Sequence, residues 1–347
     1  MPEGTAIDVA LLAPDQEKAW EDFVEASSHA TFAHLLGWRN MVEKTYHHTP
    51  FYLMAQERGR VVGLLPLFLI ESRIFGRFMV TAPYLSYGGL IADDAEASRS
   101  LVEKARELAI EQRVEYLEIR GSRRIDQGLI LKDKYCTFVL SLCRGPKALW
   151  SRLEGRARKA VRKAMYSGLM VERGHSLVEA FAGLVSRHMR DLGTPFHRAI
   201  FYRNILAEFQ NQSEILMVSH RGRPIGGVLL VTSKDTVFPL YGGALIESRA
   251  FSPMSLLIWE TILFGCERGL AYLDFGRSRW DSGTFFFKRQ WGAQPFPLFY
   301  EYHFADGIRM PDMDPTNPSF HVAVAIWKRL PAFMARALGP AIIRDIP

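Results

Sequence analysis

The chain has 347 residues, 48% of them hydrophobic and 23% charged, with a net charge of +6. This balance is that of a folded globular protein and not of a disordered one, and the length exceeds one ordinary core, so two domains are expected. Three cysteines, Cys136, Cys143 and Cys266, share no metal-like spacing, and their odd number argues against a disulfide framework. Glu3 and Asp8 stand where a signal peptide would be basic and then apolar, and no window approaches about 18 uninterrupted apolar residues. A cytoplasmic address is the expectation.

In chain order, the first informative element is a strand–turn–strand segment at 53–63, with Arg58-Gly59 at the turn, where Gly supplies positive φ. Tyr87-Gly88-Gly89 reads as the end of a further apolar strand. A helix is expected over Ser100–Gln112, followed by the strand Tyr116-Leu117-Glu118-Ile119. A helix over Leu149–Ser167 opens the second half. Its Arg152, Arg156, Lys159 and Lys163 recur at spacings of four, three and four, with Arg158 and Arg162 widening the stripe. Such a face is usually solvation, but it also suits a phosphate-bearing substrate or an anionic membrane surface. Gly193-Thr194-Pro195 then marks a loop feeding a helix, which would place Arg198 and Tyr202 on one face. His197 beside them is a candidate general base or a polar wall residue.

An internal repeat organises these elements. Leu53-Met54, Arg58-Gly59-Arg60 and Gly63 recur as Leu216-Met217, Arg221-Gly222-Arg223 and Gly226 at a constant offset of 163 residues. Tyr241-Gly242-Gly243, a helix over Pro253–Glu267 and Tyr272-Leu273-Asp274-Phe275 then repeat the later landmarks in order. A strand–helix–strand step after a meander requires a right-handed crossover and a mixed sheet. The fold class is therefore α/β with mixed sheets, and the element order resembles that of GNAT acetyltransferases in tandem. The expected boundaries are 1–145 for an N-terminal domain and 146–305 for a C-terminal one. A tail at 306–347 would turn through Pro311, Pro315 and Pro318 and close with a helix from about Phe320.

Ligands of open α/β sheets sit where neighbouring strands diverge, beside a helix N-terminus that can hold a pyrophosphate. In the second copy that helix follows Glu247-Ser248-Arg249-Ala250-Phe251-Ser252, with Ser252 read as its cap and Arg249 and Ser252 as candidates for a donor phosphate. The first copy has Asp93, Asp94 and Glu96 there, which would repel phosphate. After the second copy's last strand comes a dense loop, Asp274 to Gly283, in which Asp274, Arg277 and Trp280 are candidates for substrate contact. Next is Thr284-Phe285-Phe286-Phe287-Lys288-Arg289-Gln290-Trp291-Gly292, without counterpart in the first copy. Lys288 among aromatics reads either as stabilising charge on an acyl carbonyl or as a surface cation paired with Asp281, and the residues alone leave both open. No P-loop, dinucleotide fingerprint, zincin signature or nucleophile elbow is present.

With Tyr-Gly-Gly, Asp-Phe-Gly-Arg-Ser and Gly-Thr-Phe-Phe-Phe-Lys-Arg-Gln-Trp-Gly in place, the chain resembles the FemAB family, and within it the branch associated with exosortase/PEP-CTERM exopolysaccharide loci. Better-known members move an amino acid from aminoacyl-tRNA onto the peptide stem of a peptidoglycan precursor, without metal or covalent intermediate. The resemblance implies that Lys288, next to Phe287, stabilises a tetrahedral intermediate. It further implies that Arg198, Tyr202 and Tyr241 line an acceptor cleft. It points to acyl or aminoacyl transfer onto an amine of a cell-envelope or exopolysaccharide precursor, with acyl-CoA or aminoacyl-tRNA as co-substrate and no permanently bound cofactor. Partners would be a small-molecule or lipid-linked precursor, tRNA as donor, and a peripheral contact with the inner membrane, but not DNA. Two departures stand out: the coiled-coil arm of some members is absent, and Ser252 replaces a glycine of the acetyl-CoA signature. The alternatives are a non-catalytic GNAT pair that binds a precursor or assembly partner, and an acetyl-CoA-dependent N-acetyltransferase acting on an amino sugar.

Overall fold

The computed structural model describes residues 7–308, 324–325 and 327–346. Along the chain run β1 (Asp8–Leu11), α1 (Glu17–Ala26), α2 (Leu36–Tyr46), β2 (Thr49–Glu57), β3 (Arg60–Ser72), β4 (Gly76–Thr81), β5 (Ile91–Ala92), α3 (Ala95–Glu111) and β6 (Tyr116–Gly121). There follow β7 (Ile130–Ser141), α4 (Gly145–Arg152), α5 (Gly155–Tyr166), β8 (Leu169–Arg173), α6 (Val178–Leu192), α7 (Ala199–Glu208), β9 (Ser213–His220), β10 (Arg223–Ser233) and β11 (Thr236–Ala244). The last are α8 (Pro253–Glu267), β12 (Tyr272–Asp274), β13 (Ser278–Arg279), α9 (Gly283–Arg289), β14 (Gln294–Phe304) and α10 (Ala332–Ile343). The prolines 311, 315 and 318, and the expected start of the last helix at Phe320, lie outside the described residues.

Two compact units result, and neither is a continuous stretch. Among the described residues one holds 7–135, 297–308 and 345–346, the other 136–296, 324–325 and 327–344. This differs from a division at 145 and 305. The sheet of the first unit is completed by residues 299–304 of β14, antiparallel to β6, and that of the second by residues 139–141 of β7, antiparallel to β12. Both segments are apolar and β-prone, so composition does not say which sheet either will join.

The repeat is carried by the backbone. In the first unit the β2–β3 hairpin turns at Arg58 (φ 51°) and Gly59 (φ 79°), and in the second β9–β10 turns at Arg221 (φ 51°) and Gly222 (φ 73°). Positive φ at both turn positions is the geometry that a two-residue hairpin requires. Each hairpin holds one extra residue, Val62 in one and Ile225 in the other, again 163 apart. A third antiparallel strand follows in both. A helix then crosses over to a strand parallel to the third: β4 beside β6, and β11 beside β12.

The cores follow these strands. In the first unit Leu53, Leu65, Leu67 and Met79 pack against Leu101, Ala105 and Leu108 of α3. In the second, Leu216, Val218, Val228 and Leu230 pack against α8 and against Ala157, Val161 and Ala164 of α5. Three local expectations are corrected. Tyr87-Gly88-Gly89 lies outside any strand, because β4 stops at Thr81, whereas Tyr241-Gly242-Gly243 is inside β11. The helix expected over 149–167 is two helices, broken at Leu153-Glu154, where Arg158 donates to the carbonyls of Ser151 and Leu153. The helix expected from Ser100 starts at Ala95, because Asp94 caps it by accepting from the Ala97 N–H.

Candidate active site

In the second unit β11 and β12 pair only through Thr236–Tyr272 and Val237–Leu273. Beyond that point they part, because Leu240 is an extra residue in β11: Leu230 faces Pro239 while Leu229 faces Tyr241. Such a bulge bends and twists a strand away from its neighbour. β4 in the first unit has no such bulge against β3. The opening is a cavity of about 220 Å³ whose walls include Tyr241 and Gly242 of β11, Met254 and Thr261 of α8, Phe275, and Phe287 with Lys288 of α9.

Lys288 reaches this place because α9 starts cleanly. The Ser282 hydroxyl caps it by accepting from the Phe285 N–H, and Phe285 buries its ring edge-on against Phe138. Phe287 and Lys288 then fall on the cavity side. The ammonium of Lys288 donates to the carbonyls of Gly276 (2.7 Å) and Arg277 (2.9 Å). An ammonium has three N–H donors, so one is left over. Burial lowers the Lys288 pKa from 10.5 to about 8, against the opposing pull of the Asp274 carboxylate. Asp274 itself is 2% exposed and is held by the Thr137 hydroxyl and by the Gly276 N–H (2.7 Å). The counter-charge nearest in effect to Lys288 is therefore Asp274, not Asp281.

The first unit shows the other solution to the same problem. Its equivalent acid, Glu118, accepts within the strand from Nε and Nη2 of the Arg120 guanidinium (3.0 and 3.1 Å) and from the Tyr302 hydroxyl (2.8 Å). Arg120 stands where the second copy has Gly276, so the charge is closed off locally. At the α3 N-terminus Asp94 occupies the helix end, and Arg60 pairs with Asp93 at 3.3 Å. A cavity of about 290 Å³ lies there, lined by Gly88, Gly89, Asp93 and Asp94 among others.

The other sequence candidates fall in different places. Tyr202 is buried with His197 and Phe201 against Tyr241, at ring distances of 5.6, 5.4 and 5.3 Å, so it supports the cavity wall from behind. Burial holds its hydroxyl protonated and pushes His197 down to about 3, which makes that imidazole neutral packing. Arg198 is exposed and precedes α7 as its N-cap, so Arg198 and Tyr202 do not share a helix face. Arg277 is exposed and its carbonyl accepts from Lys288, and Trp280 rests on Phe285 at 5.6 Å. Arg249 is exposed on the short turn before α8. Ser252 makes no side-chain cap and sits in the left-handed region (φ 57°), which favours glycine.

Two residues escaped the sequence reading. Thr137 holds Asp274 from 137 positions away, and its only signal is a hydroxyl inside an apolar strand. His188 of α6 lies against Gly243, where an added Cβ would stand 2.2 Å from its ring. Burial lowers its pKa, and its Nδ1 has no hydrogen-bond partner among the described residues. Among those residues no three His, Cys, Asp or Glu side chains gather as metal ligands would, and no helix is long and apolar enough to cross a membrane.

Two units of mixed strand pairing, each with a helix crossing between its parallel strands and with a splayed cleft in the second, define a tandem GNAT fold. The GNAT acetyltransferase domain model matches residues 151–289, inside the second unit. No curated protein sequence matches the chain significantly. Among solved structures it is similar to FemX (16% identity, 84% of this chain and 96% of that one, TM-score 0.66). It is also similar to a tandem GNAT protein from the clavulanic acid biosynthesis pathway (14%, 88% and 100%, 0.60). A third is L-PGS from Bacillus licheniformis (10%, 92% and 97%, 0.54).

Proposed function

We propose that the chain is an acyltransferase of the FemAB type that transfers an acyl or aminoacyl group to an amine of a cell-envelope or exopolysaccharide precursor, with its reaction in the second unit. The observation that carries this reading is the position of Lys288. A desolvated ammonium with one unused N–H stands at the wall of an apolar cavity, at the place where β11 and β12 part. The acceptor nitrogen attacks the donor carbonyl, a C–N bond forms, and the bond to the donor's sulfur or oxygen breaks. The nitrogen's proton leaves to water. The third N–H of Lys288 meets the oxygen as it becomes negative, and a donor already in place does not have to reorganise at that moment.

Acyl-CoA is the donor that a GNAT fold favours. Its acyl arm fits the apolar walls formed by Met254, Phe275 and Phe287, and its phosphates would meet Arg249 and the turn at Ser252. The left-handed Ser252 keeps the turn in the shape that glycine takes most easily, which supports that placement.

The test is transfer measured by mass spectrometry. Acetyl-CoA, longer acyl-CoAs and aminoacyl-tRNA serve as donors, and amine-bearing nucleotide- and lipid-linked precursors as acceptors. An amide product that vanishes in Lys288→Met supports the reading. Saturable binding of an acceptor without transfer from any donor class would instead favour a binding module.

A further inference from the structure

The positive charge of this chain is not spread over its surface. Residues 144–163 hold eight of its 43 lysines and arginines but one of its 37 acids, Glu154, so this segment is +7 and all other residues together are −1. The segment is α4 and α5. α5 buries Ala157, Val161 and Ala164, and its outward face carries Arg156, Lys159, Arg162 and Lys163, all exposed. Arg162 lies over the Trp150 ring at 5.8 Å. Arg156, Lys159 and Lys163 have no partner among the described residues, and no acid occurs from 155 to 171. Like charges at i, i+4, as at Lys159 and Lys163, destabilise a helix, so solvation alone does not call for such clustering.

Where this face ends, apolar side chains stand in water: Met165 is 47%, Tyr166 89% and Met170 64% exposed. Cations beside a tyrosine and two thioethers match a bilayer surface, which offers anionic headgroups and, just beneath, the amphipathic zone where tyrosine settles. A nucleic acid would satisfy the cations, but it offers the two methionines nothing.

We propose that the α4–α5 face docks this protein on a bilayer containing anionic phospholipid. The cations lie over headgroups, and Met165, Tyr166 and Met170 enter the interface. This inference stands whether or not the acyl-transfer reading does.

The test is co-sedimentation of the full chain with phosphatidylcholine vesicles, with and without phosphatidylglycerol, at low and near-molar salt. The expected result is binding only to the anionic vesicles, lost in high salt as headgroup attraction is screened. Each cation at an anionic surface contributes about a fivefold gain in partitioning, so Arg156→Gln/Lys159→Gln/Lys163→Gln should weaken binding on the order of a hundredfold. Arg73→Gln/Arg99→Gln/Arg223→Gln removes three exposed cations elsewhere, changes net charge equally, and should leave binding unchanged. Tyr166→Ala should weaken binding at fixed salt. Unaltered melting temperatures show that the variants remain folded. Equal losses in the two triple variants would overturn the proposal, as would binding that ignores phosphatidylglycerol. So would binding to unfractionated tRNA, sensitive to the α5 triple variant, in a protein that leaves vesicles alone.

Discussion

Replacing Lys288 with Met removes the ammonium while keeping most of the aliphatic stem against Phe287. Two stability effects oppose each other. The fall of the Lys288 pKa from 10.5 to about 8 means that the fold disfavours the charged form by at most about 3 kcal/mol, less where water reaches the cavity rim. The substitution removes that cost. It also leaves the Gly276 and Arg277 carbonyls without their donor, at about 1–3 kcal/mol each where water cannot replace it. They offset only in part, with a net loss of up to about 3 kcal/mol, so the melting temperature should fall by no more than about 12 °C, at about 2–4 °C per kcal/mol for a domain of this size. Turnover should fall much further, because losing a preorganised oxyanion donor costs about 3–4 kcal/mol of barrier, or roughly a hundred- to a thousandfold in rate. The measurement is single-turnover transfer beside differential scanning calorimetry of the same samples. A folded Lys288→Met protein with wild-type turnover would refute the catalytic role. A variant that unfolds would show that Lys288 chiefly holds the 274–283 loop to α9.

Other expectations follow from the same geometry. If the ammonium is the active form, turnover should fall as pH rises through about 8; a rate that climbs through that pH would assign Lys288 the role of base. The lowered pKa also means that the charge destabilises the fold below about 8 and ceases to do so towards 10.5, so wild type should gain on Lys288→Met in melting temperature between those pH values. Asp274→Asn removes the carboxylate that raises the Lys288 pKa, so the alkaline fall in rate should move to lower pH, and an unmoved profile would show that the two groups do not interact. Gly243→Ala would drive a Cβ into the His188 ring and should cost about 1–3 kcal/mol, read by urea denaturation. In the first unit, Arg120→Met leaves Glu118 buried without its cation and should cost about 3–5 kcal/mol, while its replacement together with Glu118→Gln should restore much of that loss.

What the sequence determined by itself was the repeat and the elements that it duplicates. The Arg-Gly turns, the hairpins and the Pro253–Glu267 helix are local: Gly takes positive φ freely and Pro fits a first helical turn, so residues near in sequence settle them. The importance of 274–292 was legible too, because a cation among aromatics after a buried strand breaks the symmetry of the two copies. Three-dimensional packing decided the rest. Arg198 and Tyr202 have helical spacing, but α7 begins only at Ala199, so one side chain meets water and the other Tyr241. Whether Lys288 answered to Asp281 or Asp274 depended on Thr137 and on two carbonyls of a loop that folds back under α9. Which strands the ends of β7 and β14 would pair with was invisible for the same reason. Strand pairing joins backbone groups that every sequence carries, so which edge a strand completes is set by the shape of the sheet waiting for it.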